Sequence, residues 1–114
     1  MFTHHVTMSL KNGSHKELSS RIDQSIMPLL RQLKGFIDGI TLVAPERSIA
    51  IEDTHWETKD DAENYQRTGY LKVIEMLSEF VKTTPKDSIF EVPVSSIYQI
   101  GMDKPYLVAS RTKQ

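Results

Sequence analysis

Residues 36–57 read FIDGITLVAPERSIAIEDTHWE. Two stretches rich in β-branched side chains flank Ala44-Pro45-Glu46-Arg47, where Pro45 presets the backbone angle of a turn. The pattern predicts a strand over Phe36–Val43 and another over Ser48–Glu57, and a link this short makes them antiparallel neighbours. In the second strand Ile49, Ile51, Asp53 and His55 alternate with Ala50, Glu52, Thr54 and Trp56, so the two sets face opposite sides of the sheet. Glu52 and Asp53 therefore point apart, which argues against a paired-carboxylate acid–base site.

Upstream, Gly35 is a natural left-handed stop for a helix. Leu18, Ile22, Ile26, Leu29, Leu30 and Leu33 recur at spacings of three and four and predict that helix. Ser14-His15-Lys16-Glu17 before it has the S-x-x-E form of a capping box. Pro28 removes a backbone donor and crowds the carbonyl of Gln24, which predicts a kink or a break. Ahead of the turn at Lys11-Asn12-Gly13, Phe2–Leu10 alternates cleanly. Phe2, His4, Val6, Met8 and Leu10 share one face; Thr3, His5, Thr7 and Ser9 share the other.

Downstream, Thr58-Lys59-Asp60-Asp61 opens a second helix with Ala62, Tyr65, Tyr70, Val73, Ile74, Leu77, Phe80 and Val81 as its apolar positions, limited by Pro85. Ser88–Val94 predicts a fourth strand, and Pro93 within it predicts an edge position or a bulge. The mildly apolar run from Ser95 to Ala109 is able to add a short strand onto a partner subunit. Residues 1–100 are thus expected to form one domain and 101–114 a C-terminal extension.

The order β-α-β-β-α-β is the split βαβ unit of ferredoxin-like folds, an α+β class with an antiparallel sheet. Right-handed crossovers put both helices on one face of that sheet. The other face is too apolar in places for free exposure, so a homodimer is expected.

The composition narrows the function classes. The chain has 114 residues with fourteen basic and fifteen acidic side chains, so a general electrostatic footprint for nucleic acid is not expected. No long apolar run suggests a membrane span or a secretory leader. There is no cysteine, which removes thiolate metal sites and thiol nucleophiles and makes a cytoplasmic setting the default.

Lys34-Gly35-Phe36-Ile37-Asp38-Gly39, followed by a strand ending His55-Trp56-Glu57-Thr58, resembles the antibiotic biosynthesis monooxygenase family, whose members enter the second strand through a Gly-Phe pair and leave the third through Trp-Glu. The resemblance covers roughly residues 1–95 and implies a dimeric α/β barrel with two sheets face to face. Its haem-degrading branch uses an Asn, the Trp and a His. Here Val6 and Gln66 stand near the places of the Asn and the His, so haem degradation is rejected. The quinone-forming branch uses no cofactor and favours Asn, Trp, Tyr and Arg around its pocket. Trp56, Asn64, Tyr65, Arg67 and Tyr70 offer similar chemistry.

Trp56 is either a hydrophobic plug or a wall on which a flat substrate stacks. Asn64, Arg67 and Tyr70 are spaced by threes, so a continuous helix would present amide, guanidinium and phenol on one side, or would simply show solvent a polar face. Facing a pocket, Arg67 would hold an enolate or phenolate while Asn64 and Tyr70 steer its oxygens. His5, or alternatively His4, is the candidate general base. Because the two point to opposite faces, they cannot ligate one ion, and His55 with Asp53 completes no spacing motif, so no metal is expected.

The resemblance, with these residues, implies a cofactor-independent monooxygenase acting on a small aromatic or quinol in a pocket between the sheet and the second helix. The alternatives are a non-enzymatic dimer, stress-related or binding a small apolar molecule, and an isomerase or decarboxylase driven by a first-strand histidine.

Overall fold

The structure is a computed structural model that describes residues 1–96. The anticipated partner-contacting strand and the boundary at residue 100 lie outside the described residues. The elements are β1 (Phe2–Ser9), α1 (His15–Arg21), a π-helical turn (Ile22–Ile26), α2 (Met27–Leu30), β2 (Phe36–Ala44), β3 (Ile49–Trp56), α3 (Lys59–Arg67), α4 (Gly69–Leu77) and β4 (Lys86–Glu91). The strands form one antiparallel sheet in the order β2-β3-β1-β4. This is the α+β, ferredoxin-like arrangement that the order of elements dictates, with the helices on one face.

Alternation decides which side chains meet the helices. On β1 it is His4, Val6 and Met8, with Leu10 just beyond the strand, and on β3 it is Ala50, Glu52, Thr54 and Trp56; all eight are buried. Leu18, Ile22, Ile26, Met27 and Leu30 close over them from the first helical segment, and Ala62, Tyr65, Tyr70, Val73 and Leu77 from the second. The opposite face carries Ile40, Leu42 and Phe90 at 45, 50 and 54% exposure, and no described helix covers it.

The break anticipated at Pro28 takes a specific form. The chain widens into the π turn just before the proline, and the Met27 N–H reaches back five residues to the Ile22 carbonyl. A ring that cannot donate and that crowds the preceding turn is relieved by that extra residue per turn. Gly35 has the left-handed backbone expected of it, φ +82°, but it ends no helix: α2 stops at Leu30, and Gly35 lies in the turn that leads into β2, where a Cβ would overlap the Asp61 carboxylate.

Three local expectations need correction. Ser14 already has helical backbone angles and makes no side-chain cap, so the capping box does not form; Thr58 does cap α3, accepting from the Asp61 N–H at 3.1 Å. The second helix is two helices, parted at Thr68, whose hydroxyl turns back to the Asn64 carbonyl. β4 begins and ends earlier than anticipated, over Lys86–Glu91, and lies at the sheet edge, with Pro93 beyond it.

Candidate functional site

The row of partners Thr41–Glu52–Val6–Asp87 crosses all four strands on the helix-covered face. Strand parity therefore delivers a carboxyl group on either side of Val6 into the space beneath the helices. The two acids are held in opposite states.

Glu52 is 5% exposed. One of its carboxyl oxygens accepts from the Thr41 hydroxyl, and the other has no hydrogen-bond partner among the described residues. Burial, opposed by the Thr41 hydrogen bond and reinforced by the charge of Asp53, pushes its pKa up to about 7. The group changes charge close to neutral pH.

Asp87 is held the other way. Burial would raise its pKa, but hydrogen bonds from Gln66 Nε2 at 2.9 Å and His4 Nε2 at 2.8 Å hold the carboxylate below its ordinary range. His4, at 1% exposure, is pushed down by burial against the pull of Asp87, so it is neutral near pH 7. With Nε2–H donated to an ionised carboxylate, Nδ1 is the ring's bare acceptor, and it has no partner among the described residues.

The rings of Tyr65 and Tyr70 stand edge-on to His4, at 5.3 and 4.5 Å between centroids. The Tyr70 hydroxyl is buried without a partner among the described residues, and burial with the nearby Asp87 charge pushes its pKa up to about 12. Burial raises Tyr65 still further, aided by Glu52 and Tyr70. Trp56 stacks on Tyr65 at 4.8 Å, meets the Phe36 ring at 5.4 Å, and donates its indole N–H to Thr54 Oγ1 at 2.9 Å.

A cleft of about 410 Å³ opens between the first helical segment and β2, within the range that accepts a small ring system. Ile22, Met27, Phe36 and Ile37 supply apolar wall; Ser19, Asp23, Arg31 and Thr41 supply polar groups. Phe36, Gly39 and Thr41 of β2 line it, and their partners one strand further in are Trp56, Thr54 and Glu52. Sequence reasoning set the pocket against β3 and the second helix; this cleft lies on the β2 side of that cluster.

Of the residues singled out from sequence, Tyr65 and Tyr70 are brought together around His4, and Trp56 joins them by stacking on Tyr65. Asn64 and Arg67 are not: both are exposed on the solvent side of α3, and the break at Thr68 removes the shared face that their spacing suggested. His5 lies on the uncovered sheet face, bonded through Nδ1 to Asp53 at 2.6 Å. There Thr3 bonds His55 Nδ1 at 2.8 Å. No three His, Asp or Glu side chains are placed to hold a metal ion among the described residues. Glu52, Asp87 and Gln66 are the site residues that sequence reasoning passed over. Parity with Trp56 along β3 was the available signal for Glu52; Asp87 lay outside the strand expected at Ser88–Val94 and carried none.

No protein-family model and no curated protein sequence matches the chain. Its structure is similar to that of a monooxygenase from the gene ActVA-Orf6 of Streptomyces coelicolor, solved with nanaomycin D (TM-score 0.69, 16% identity, covering 86% of this chain and 91% of that one). It is also similar to SnoaB, a cofactor-independent oxygenase from Streptomyces nogalater (TM-score 0.65, 12% identity, 83% and 95%). A Bordetella bronchiseptica protein provisionally designated an antibiotic biosynthesis monooxygenase matches with a TM-score of 0.68 at 14% identity, over 82% of this chain and 97% of that one. At such identities the likeness is one of fold, and the fold is that of the antibiotic biosynthesis monooxygenases.

Proposed function

We propose that the chain is a cofactor-independent monooxygenase of an electron-rich aromatic, a hydroxyanthrone or a quinol, bound in the cleft between α1–α2 and β2 and reaching towards Trp56. The observation that carries this reading is the cleft itself, of about 410 Å³. Its lining residue Phe36 meets the buried Trp56 ring, and its lining residue Thr41 bonds the buried Glu52 carboxyl, which keeps one oxygen without a partner among the described residues. Unpaired buried acceptors and hydroxyls are costly in a merely structural core and are common where a ligand completes them. The fold shared with ActVA-Orf6 and SnoaB supports it. For an anthrone, the ring CH₂ becomes C=O and the second oxygen atom leaves as water with the two methylene hydrogens, the substrate supplying all four electrons that reduce dioxygen.

The uncovered apolar face at Ile40, Leu42 and Phe90 supports a homodimer, and the absence of cysteine supports a cytoplasmic setting. Among the described residues no helix is long and apolar enough to cross a membrane.

Oxygen uptake with a panel of hydroxyanthrones and quinols tests the proposal. One dioxygen consumed per anthrone oxidised is the expected result, and no consumption above the buffer rate with any of them ends it. A second reading draws on two observations: Asn64 and Arg67 are exposed, and the Trp56 indole is packed between rings with its N–H already bonded to Thr54. Those features suit a dimer that binds a small apolar molecule without turnover, and the same assay separates the two.

A further inference from the structure

We infer that the Thr41 hydroxyl, backed by the Glu52 carboxyl, is a reversible hydrogen-bonding switch in the wall of the cleft, accepting a proton from a ligand phenol in one state and donating to a ligand carbonyl or ether oxygen in the other. The inference rests on the reading of the cleft as a ligand site and adds the chemistry that would select its occupant.

The geometry has three parts. Thr41 lines the cleft, so its oxygen is within reach of an occupant. Its hydroxyl hydrogen is committed inward, to Glu52. Glu52 is buried behind it, and its second oxygen has no partner among the described residues. A hydroxyl carries one hydrogen and accepts through its lone pairs. While Glu52 is ionised, that hydrogen is spent on the carboxylate and Thr41 offers the cleft only an acceptor, which suits a phenol O–H. Once Glu52 is protonated, the carboxylic acid can donate to Thr41, and the Thr41 hydrogen is free to turn outward towards a carbonyl or ether oxygen.

The same pair provides a proton path. A phenol O–H bond breaks towards Thr41 Oγ1 while the Thr41 proton passes to the Glu52 carboxylate, leaving a phenolate, an intact threonine and a neutral glutamic acid. The step is redox-neutral and needs no other reactant. In a site that oxidises a hydroquinone-type compound, the ionised state favours the hydroxyl-bearing reactant and the protonated state favours its carbonyl-bearing product.

The test uses the full chain and two neutral probes of similar shape. 2-Naphthol donates through its hydroxyl, whereas 2-methoxynaphthalene only accepts. Affinities are measured by fluorescence between about pH 5.5 and about pH 8.5, and the ratio of the two cancels general effects of pH on the fold. The expected ratio, naphthol over ether, rises about tenfold across neutral pH, one hydrogen bond reversed. Other ionisable or charged groups lie around Glu52: Tyr65 from α3, Asp53 on the opposite face of β3, Asp87 across Val6, His4 two residues along β1 from Val6, and Asp23 and Arg31 in the lining of the cleft. Glu52→Gln keeps the shape and an inward acceptor, so its ratio should stay constant with pH. Thr41→Val should also flatten it, and Thr41→Ser should restore it.

A wild-type ratio that does not change, a pH dependence that survives Glu52→Gln, or the failure of both probes to bind would overturn the inference. Oxygen uptake is read separately. A switching ratio in a protein that consumes no oxygen upholds this inference against the oxygenase reading, and a flat ratio in an oxygen-consuming protein does the reverse.

Discussion

Glu52 is an acid in a place where an amide would be more comfortable. Its folded pKa of about 7 lies above the ordinary 4.5, so the native state binds the proton more tightly than the unfolded chain does. The sign follows: the fold is most stable with respect to this group below about pH 4.5, loses stability as pH rises towards about 7, and levels off above it. Replacing Glu52 by Gln should make the protein more stable at pH 8, by on the order of 3 kcal/mol at most, with little difference near pH 4. Urea unfolding at the two pH values measures this; equal stabilities at pH 8 would show that the carboxyl is not held as described. A residue kept at such a cost is expected where a site demands it. The parity of β3 was readable from its alternation, and it placed Glu52 beside Trp56 on one face. It did not reveal which face lies under the helices, and so Glu52 figured only as a carboxylate pointing away from Asp53. His4 and His5 were separated in the same way, and burial, which no strand carries in its own sequence, decides between them.

Among the elements, the junctions carry more information than the middles. Gly35 closes the turn between α2 and β2 with φ +82°, beside Asp61 at the start of α3. Gly35→Ala would have to adopt the left-handed region and displace the Asp61 carboxylate, for an expected loss of about 2–3 kcal/mol. A lowered urea midpoint with an unchanged slope is the measurement, and an unchanged midpoint would contradict the tight approach. The left-handed backbone was legible because glycine ahead of a strand marks a tight turn; the helix end was not, since α2 stops at Leu30, five residues earlier. The π turn ahead of Pro28 was legible only as a disturbance, since a proline states that a hydrogen bond is lost and leaves open how the chain accommodates it. The break at Thr68 was not legible at all. Asn64, Arg67 and Tyr70 share a side only on an unbroken helix, and the Thr68 hydroxyl bonded to the Asn64 carbonyl is what parts it, turning Tyr70 inward and leaving the other two outside.

For the whole molecule, the uncovered sheet face governs behaviour in solution. Ile40 and Leu42 on β2 and Phe90 on β4 are about half exposed, with the His5–Asp53 and Thr3–His55 pairs between them. Burying such a face against its own copy gives a closed, twofold assembly. Sedimentation should therefore find twice the 13.1 kDa of one chain at micromolar concentration, and Leu42→Glu should shift the population towards the single chain. A wild-type protein that sediments as a single chain would remove the homodimer. The order of strands and helices was legible here because each element announces itself by its period, and an α+β chain of this order has few ways to pack.

Asp87 accepts with a single oxygen, Oδ2, from the imidazole of β1 and from the Gln66 amide of α3. The outermost strand, the strand beside it and the helix layer are thus pinned together at one point, close to the sheet's margin. Acid strong enough to discharge that carboxylate would slacken both attachments in one event. The rim at β4, rather than the hairpin of β2 and β3, is then where the fold would begin to come apart.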